Sequence, residues 1–467
     1  HRYSSAASDV YKRQFENDPV LSWFAIVHFI SLSSFLAKGP TWLLAIWSAT
    51  GAFITYFSMY AFRKPFTVAK YENLELLWMD YKVILLFSQV GGYALSKFIG
   101  IKVISEMTPN RRAISIIGLV AVAHVALLPY AFAPLWLKPI FLFMNGLPLG
   151  MVFGCVFAFL EGRRTTEFLA AGLCASFIMA SGVVKSVGLD LMTSYDVSQF
   201  WMPFTTGLLF WLPLALGVWM LVQIPPPNEK DIKARTERVP IDSHDRWTFF
   251  QRNAFGIIIL VGIYVLLTIF RSIRDDYAAE IWAGFGFEKP AIFATSETYV
   301  AIVTVSICAL ITAIRPNLPA FLIGLFTVFV GFAFAMGTTV TYWNQTTWTE
   351  TSALLFMVLI GIGLYVPYML FHTTIYERLI AFLRTKANIG YLLYLADFAG
   401  YVTTIIMLIL FKLLSSDRID FVGLLFWLAI LISPISMVGC CAVAIYFIKK
   451  GRLHDERENS PDASMHP

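Results

Sequence analysis

Twelve apolar runs, each long enough to cross a bilayer, leave this chain little freedom in what it can fold into. They lie near Thr41–Phe62, Tyr81–Ile104, Ala113–Ala133, Leu135–Leu160, Leu169–Leu191, Phe200–Ile224, Phe255–Phe270, Ile292–Ile314, Leu318–Tyr342, Ser352–His372, Ala387–Leu414 and Phe421–Ile448. A helix crosses the hydrocarbon core with about 20 apolar residues. No run alternates strictly between apolar and polar as a barrel strand does, so helices are expected to satisfy the backbone. Of the 467 residues, 58% are apolar and 14% charged, against about 45–50% and about 25% in soluble domains. That difference excludes a soluble enzyme, a disordered chain and a nucleic-acid binder. A mean hydropathy of +0.69 excludes a soluble domain on a single anchor. The expected fold class is an all-α polytopic membrane protein of twelve transmembrane helices in the lipid bilayer.

Residues 225–254 form the one long polar stretch, opened by Pro225-Pro226-Pro227 and carrying Lys230, Lys233, Arg235, Arg238, Arg246 and Arg252. This cytoplasmic linker separates a six-helix bundle, residues 41–224, from a second, residues 255–450. Residues 15–40 are expected to form an N-terminal interfacial helix, and residues 451–467 a disordered cytoplasmic tail. The run Asp9-Val-Tyr-Lys-Arg-Gln14 is similar to a translated sequencing adapter, so residues 1–14 are set aside as a non-native tail. The halves echo each other: Arg63 and Arg271, Lys185 and Asp397, and Glu161 and Glu377 are offset by 208, 212 and 216 residues. Alternate loops beginning at Lys38 hold 20 basic residues and the opposite set 7. The positive-inside rule therefore places both termini and the linker in the cytoplasm. The net charge of +5 is a topology signal, too small to imply a nucleic-acid partner. Cys155, Cys174, Cys308, Cys440 and Cys441 all fall in apolar runs without metal-ligand spacing, and no metal or cofactor is expected.

An ionisable residue within a span costs roughly 2.5–3.5 kcal/mol on insertion scales and so faces the bundle interior or an aqueous cavity. The informative set is Arg63, Lys64, Lys97, Lys185, Arg271, Glu297 and Asp397, with His124 and His372 weaker. Arg63 and Lys64 read either as a snorkelling helix end or as cavity cations. Lys97 lies deep in the second run and calls for a cavity or an acidic partner. Glu297 or Asp397 can neutralise a lysine in a structural pair, or set charge balance and couple protons together with Lys185. Cations from the first spans of both halves can converge on an anion, arginine by its planar fork and lysine as a point charge. Gly146, Gly150 and Gly154 repeat every fourth residue and invite close helix packing. Trp201, Trp211, Trp343 and Trp348 read as interfacial anchors.

The segment Tyr56-Phe-Ser-Met-Tyr60-Ala-Phe-Arg63-Lys64-Pro-Phe66 resembles the first span of the organophosphate:phosphate antiporters of the major facilitator superfamily. Tyr93-Ala-Leu-Ser96-Lys97-Phe98-Ile99 is similar to that group's second-span motif, and Arg271 followed by Asp276 to its seventh-span arginine. The resemblance implies the major facilitator fold, with Arg63, Lys97 and Arg271 on the substrate phosphate. Thr268 stands where the group has a tyrosine, and no residue matches its fifth-span histidine. The whole chain, including Tyr376-Glu377-Arg378-Leu379-Ile380-Ala381 and Tyr394-Leu-Ala-Asp397, also resembles a bacterial membrane-protein family of unknown function.

The expected function is secondary active transport of a small anion, phosphate or a phosphorylated metabolite, by alternating access and by a monomer. Arg63, Lys64, Lys97, Arg271, Tyr56 and Tyr60 would bind substrate. Glu106, Arg111, Arg112, Glu161 and Glu377 would form a cytoplasmic gate. An anion sensor that keeps the fold without transport is the alternative. An embedded enzyme ranks last, because His124 and His372 are isolated along the chain.

Overall fold

The computed structural model describes residues 32–105, 107–161, 163, 165–227, 231, 243–383, 389–414 and 420–458. Each of the twelve apolar runs is helical. The first half holds α1 (Leu32–Lys38), α2 (Thr41–Tyr60), α3 (Tyr81–Ser105), α4 (Arg112–Phe132), α5 (Lys138–Leu160), α6 (Thr166–Ser194), α7 (Met202–Leu209) and α8 (Trp211–Val222). The second holds α9 (Ser243–Asp276), α10 (Ala278–Gly284), α11 (Ala291–Thr312), α12 (Asn317–Tyr342), α13 (Glu350–Leu370), α14 (Tyr376–Leu383), α15 (Ile389–Leu414) and α16 (Phe421–Glu458).

The twelve runs form their helices in different ways. Among the described residues, ten helices are long and apolar enough to cross a membrane, and α7 with α8 makes an eleventh, broken span bent by 44°. Pro213 explains the break, because it lacks the N–H that would bond to the Leu209 carbonyl. In α15 the apolar stretch is the shorter Ala396–Met407. Two boundaries also shift. The helix α9 begins at Ser243, inside the expected linker, and α16 runs to Glu458, inside the expected disordered tail. Residues 1–31, with the expected non-native tail and most of the interfacial helix, lie outside the described residues, as does Glu106.

Helix contacts repeat between the halves. In the first half α2 packs on α6 and α8, and α5 on α3 and α4; in the second, α9 packs on α15 and α16, and α13 on α11 and α12. The two halves meet where α6 crosses α11 and α3 crosses α15, a pair of contacts exchanged by the same pseudo-symmetry. Small residues permit these approaches. A Cβ added at Gly146 would sit 2.2 Å from the Gln89 carbonyl oxygen, and one at Gly182 would sit 2.3 Å from that of Phe293 across the halves. A two-stranded hairpin, β1 (Glu75–Leu76) and β2 (Met79–Asp80), closes the loop between α2 and α3. Its turn residues Leu77 and Trp78 both have positive φ, 50° and 57°, as a type I′ turn requires.

Candidate functional site

The first span stops at Tyr60, and Pro65 opens a short 3-10 turn, so the intervening residues leave helical geometry. Two buried amides from neighbouring spans take up the freed carbonyls. Asn145 Nδ2 donates to the Phe62 oxygen at 3.0 Å, and Gln89 Nε2 donates to the Arg63 oxygen at 2.7 Å. Gln89 also donates to Asn145 Oδ1 at 2.9 Å, fixing both amides. The Arg63 side chain therefore leaves a rigid turn and points between the halves.

A cavity of about 50 Å³ lies there, lined by Tyr56, Tyr60, Arg63, Tyr93, Lys97, Arg271, Tyr368, His372, Asp397 and Tyr401 among others. That is room for a few water molecules. Both arginines are almost wholly buried, Arg63 at 5% and Arg271 at 7% exposure. Aromatic faces support them: the Arg63 Cζ lies 3.7 Å from the Tyr93 ring centre and the Arg271 Cζ lies 4.4 Å from that of Tyr368. Among the described residues, neither guanidinium has a carboxylate within ion-pair distance, and the Nε of each lacks a hydrogen-bond partner.

Among the described residues the remaining buried cations are matched to carboxylates except Lys138, whose Nζ donates to the Tyr130 and Ala131 carbonyls at 2.6 and 3.0 Å. Lys97 Nζ lies 2.6 Å from Asp397 Oδ2, joining α3 to α15. Tyr264 donates to the other carboxylate oxygen, and His372 Nε2 lies 3.9 Å from it. Lys64 bonds Asp275 at 2.6 Å and also Asp276, while Lys185 Nζ lies 2.6 Å from the second oxygen of Asp275. Ser181 donates to Asp275 as well. Arg274 pairs with Glu297 at 2.8 Å and donates to the Met357 carbonyl. Buried carboxylates need such partners, because an unpaired ion loses its hydration without compensation.

These pairs concentrate at one end of the molecule. Lys64, Lys70 and Lys82 of the first half reach Asp275, Glu288 and Glu280 of the second, the last two at 2.7 and 2.5 Å. That end is closed by charge pairing between halves. Burial raises the Glu280 carboxyl above the usual carboxylate range, against the opposing pull of Lys82.

The structure thus brings Tyr56, Tyr60, Arg63, Lys64, Lys97, Arg271 and Asp397 to one cavity. Lys64 is not a snorkelling end: it is buried, and Asp275 and Asp276 hold its ammonium. Lys185 belongs to the closed end, and Glu297 pairs with an arginine where a lysine was expected. Among the expected gate residues, Arg112 donates to the Ala158 carbonyl at 2.6 Å within its own half, and Arg111 lies on an exposed turn. Glu161 follows the end of α5 and Glu377 lies in the first turn of α14. Sequence reasoning missed Asp275, the hub of the closed end, although it stands four residues after Arg271. It also underrated His372, which a π-turn at Phe371–Ile375 carries to the cavity wall. His124 is structural, accepting from the Trp211 indole at 2.8 Å, so Trp211 packs inward where an interfacial anchor was expected.

Two pseudo-symmetric helical halves around a central polar cavity define a polytopic membrane protein with the major facilitator fold. Among solved structures, that of a D-xylose–proton symporter matches at a TM-score of 0.56, covering 87% of this chain and 97% of that one at 12% identity. The chain belongs to the family of unknown function DUF5690, whose profile matches residues 65–450. No curated protein matches it in sequence.

Proposed function

We propose that this protein is a secondary transporter of a small anion, phosphate or a phosphorylated metabolite, working by alternating access. The observation that carries the reading is the pair of buried arginines, one from the end of each half's first span, on one cavity, neither with a carboxylate within ion-pair distance among the described residues. An anion would supply the missing counter-charge, and a phosphoryl group would accept two parallel hydrogen bonds from each planar fork. A neutral sugar, the substrate class in the symporter's title, would leave both guanidiniums uncompensated. Lys97 would serve as a third cation, with Tyr56 and Tyr60 shaping the cavity. The closed end would face outward in a bacterial inner membrane, with both termini in the cytoplasm. The residues Glu106, Arg111, Arg112, Glu161 and Glu377 would gate the opposite end.

The test is phosphate counterflow. Purified protein in liposomes loaded with unlabelled phosphate should accumulate labelled phosphate from outside. Arg63→Ala and Arg271→Ala should each abolish it. Folded wild-type protein that shows no uptake would remove phosphate exchange as the activity.

A further inference from the structure

Resting on the transport reading, we propose that Asp397 and His372 form a proton site, and that loading it is linked to anion binding through Lys97. The protein would then move its anion together with a proton. Three observations meet at this point. First, Lys97 is shared between two surroundings. Its Nζ lies 2.6 Å from Asp397 Oδ2 and 5.5 Å from the centre of the Tyr93 ring. Arg63 stacks on the same ring at 3.7 Å. An anion held by Arg63 therefore enters the field of Lys97 and competes with Asp397 for it, and lysine's flexible stem lets the ammonium follow.

Second, a proton has a place to go. His372 Nδ1 lies 2.9 Å from the Tyr368 carbonyl, which can only accept, so Nδ1 carries the hydrogen. In the neutral ring that leaves Nε2 a lone pair, 3.9 Å from Asp397 Oδ1. Two acceptors face each other, and one proton between them turns the contact into a donor–acceptor pair. The π-turn at Phe371–Ile375 presents this ring, and π-turns recur at functional sites.

Third, among the described residues no cation besides Lys97 and His372 lies within ion-pair distance of Asp397, although Arg271 shares the cavity. The groups around it also include tyrosines and a thiol: Tyr264 donates to it, Tyr401 is on its own helix, and Tyr93, Tyr368, Tyr376 and Cys174 come from other spans. A carboxylate buried to 1% exposure and stripped of its partner is unstable as an anion, and a neighbouring phosphate repels it further. Taking one proton from the water-filled side relieves both effects. Lys97 keeps its charge throughout, the phosphate enters as an anion, and the proton rides on Asp397 or His372 until the phosphate leaves. Glu297, the other buried carboxylate considered for coupling, is held by Arg274 and is absent from the cavity wall.

The experiment uses the full chain in liposomes with inorganic phosphate as probe and a pH-sensitive dye in the lumen. Counterflow at equal pH on both sides tests transport alone. With a lumen kept alkaline and free of phosphate, wild-type protein should accumulate phosphate above its external concentration, and the lumen should acidify on phosphate addition. In Asp397→Asn both signals should fall to the level of empty liposomes. Wild-type counterflow without acidification or gradient-driven accumulation overturns the coupling while leaving transport intact. Gradient-driven accumulation that persists in Asp397→Asn overturns the assignment to Asp397. Because that variant leaves Lys97 buried beside a neutral group, proton uptake by wild-type protein in weakly buffered detergent gives a second reading. Phosphate should draw protons from solution, and a flat pH trace at saturating phosphate sinks the proposal.

Discussion

At the scale of single residues, the decisive distinction is between cations that are matched and cations that are not. Among the described residues eight lysines and arginines are buried: Lys64, Lys82, Lys97, Lys185 and Arg274 face carboxylates, Lys138 is held by the Tyr130 and Ala131 carbonyls, and Arg63 and Arg271 have neither. The two without a partner are the arginines on the cavity wall. Replacing either by lysine keeps the charge and removes the fork. Arg271→Lys should therefore bind phosphate at least about tenfold more weakly in counterflow competition, the cost of one or two charge-assisted hydrogen bonds. Equal affinity would mean that charge alone acts there. Asp275→Asn makes the opposite error, stranding Lys185 and leaving Lys64 with Asp276 alone. Breaking a buried pair costs about 3–5 kcal/mol, so its thermal midpoint in detergent should drop well below that of an exposed control, Glu288→Gln. The sequence located Arg63, Lys64, Lys97, Lys185, Arg271, Glu297 and Asp397 because apolar neighbours made them conspicuous, and passed over Asp275 in the charged run Arg274-Asp275-Asp276. It could not pair them, since Lys64 and Asp275 lie 211 residues apart and nothing local links them.

At the scale of elements, hydropathy marks the helices and fails where backbone geometry takes over. The broken span α7–α8 lies inside a run that reads as one apolar segment, and the π-turn before α14 straddles the end of another. One depends on the geometry around a proline, the other on one extra residue in a turn, and neither changes hydropathy. The hairpin between α2 and α3 is a further case, since Leu77 and Trp78 are poor residues for positive φ. Leu77→Asn should stabilise the protein by about 0.5–1 kcal/mol, because asparagine tolerates that conformation. A lowered thermal midpoint would show instead that the exposed leucine contributes contacts with its surroundings. Glu280 on α10 supplies a pH test. Its folded-state carboxyl titrates above the ordinary value, so its contribution is fully present at pH below the unfolded value and is lost as pH rises through the folded one. Glu280→Gln imitates the protonated form. The variant's midpoint relative to wild type should therefore rise between pH 4 and pH 7.5, and a relative fall would reverse the assignment.

At the scale of the whole molecule, the internal repeat was legible from three offsets, and it fixes which contacts can exchange. On the proposed transport reading, the α3–α15 and α6–α11 crossings would be the axes about which the halves rock. Charge pairs across the closed end would then break in each cycle. They are suited to that: Lys70–Glu288 is largely exposed, with 30% and 62% of the side chains accessible, so it is easily replaced by water. The deeper Lys64–Asp275–Lys185 cluster instead gives the closed state its stability and its register. A covalent tie at the rim should therefore stop transport without touching the cavity. Lys70→Cys with Glu288→Cys, bridged by a short reducible bifunctional reagent, should lose phosphate counterflow in proportion to the bridge formed and regain it on reduction. Either single cysteine treated alike should keep its activity. If fully bridged protein still exchanges phosphate, this end does not open during transport, and the path must run through the opposite face alone.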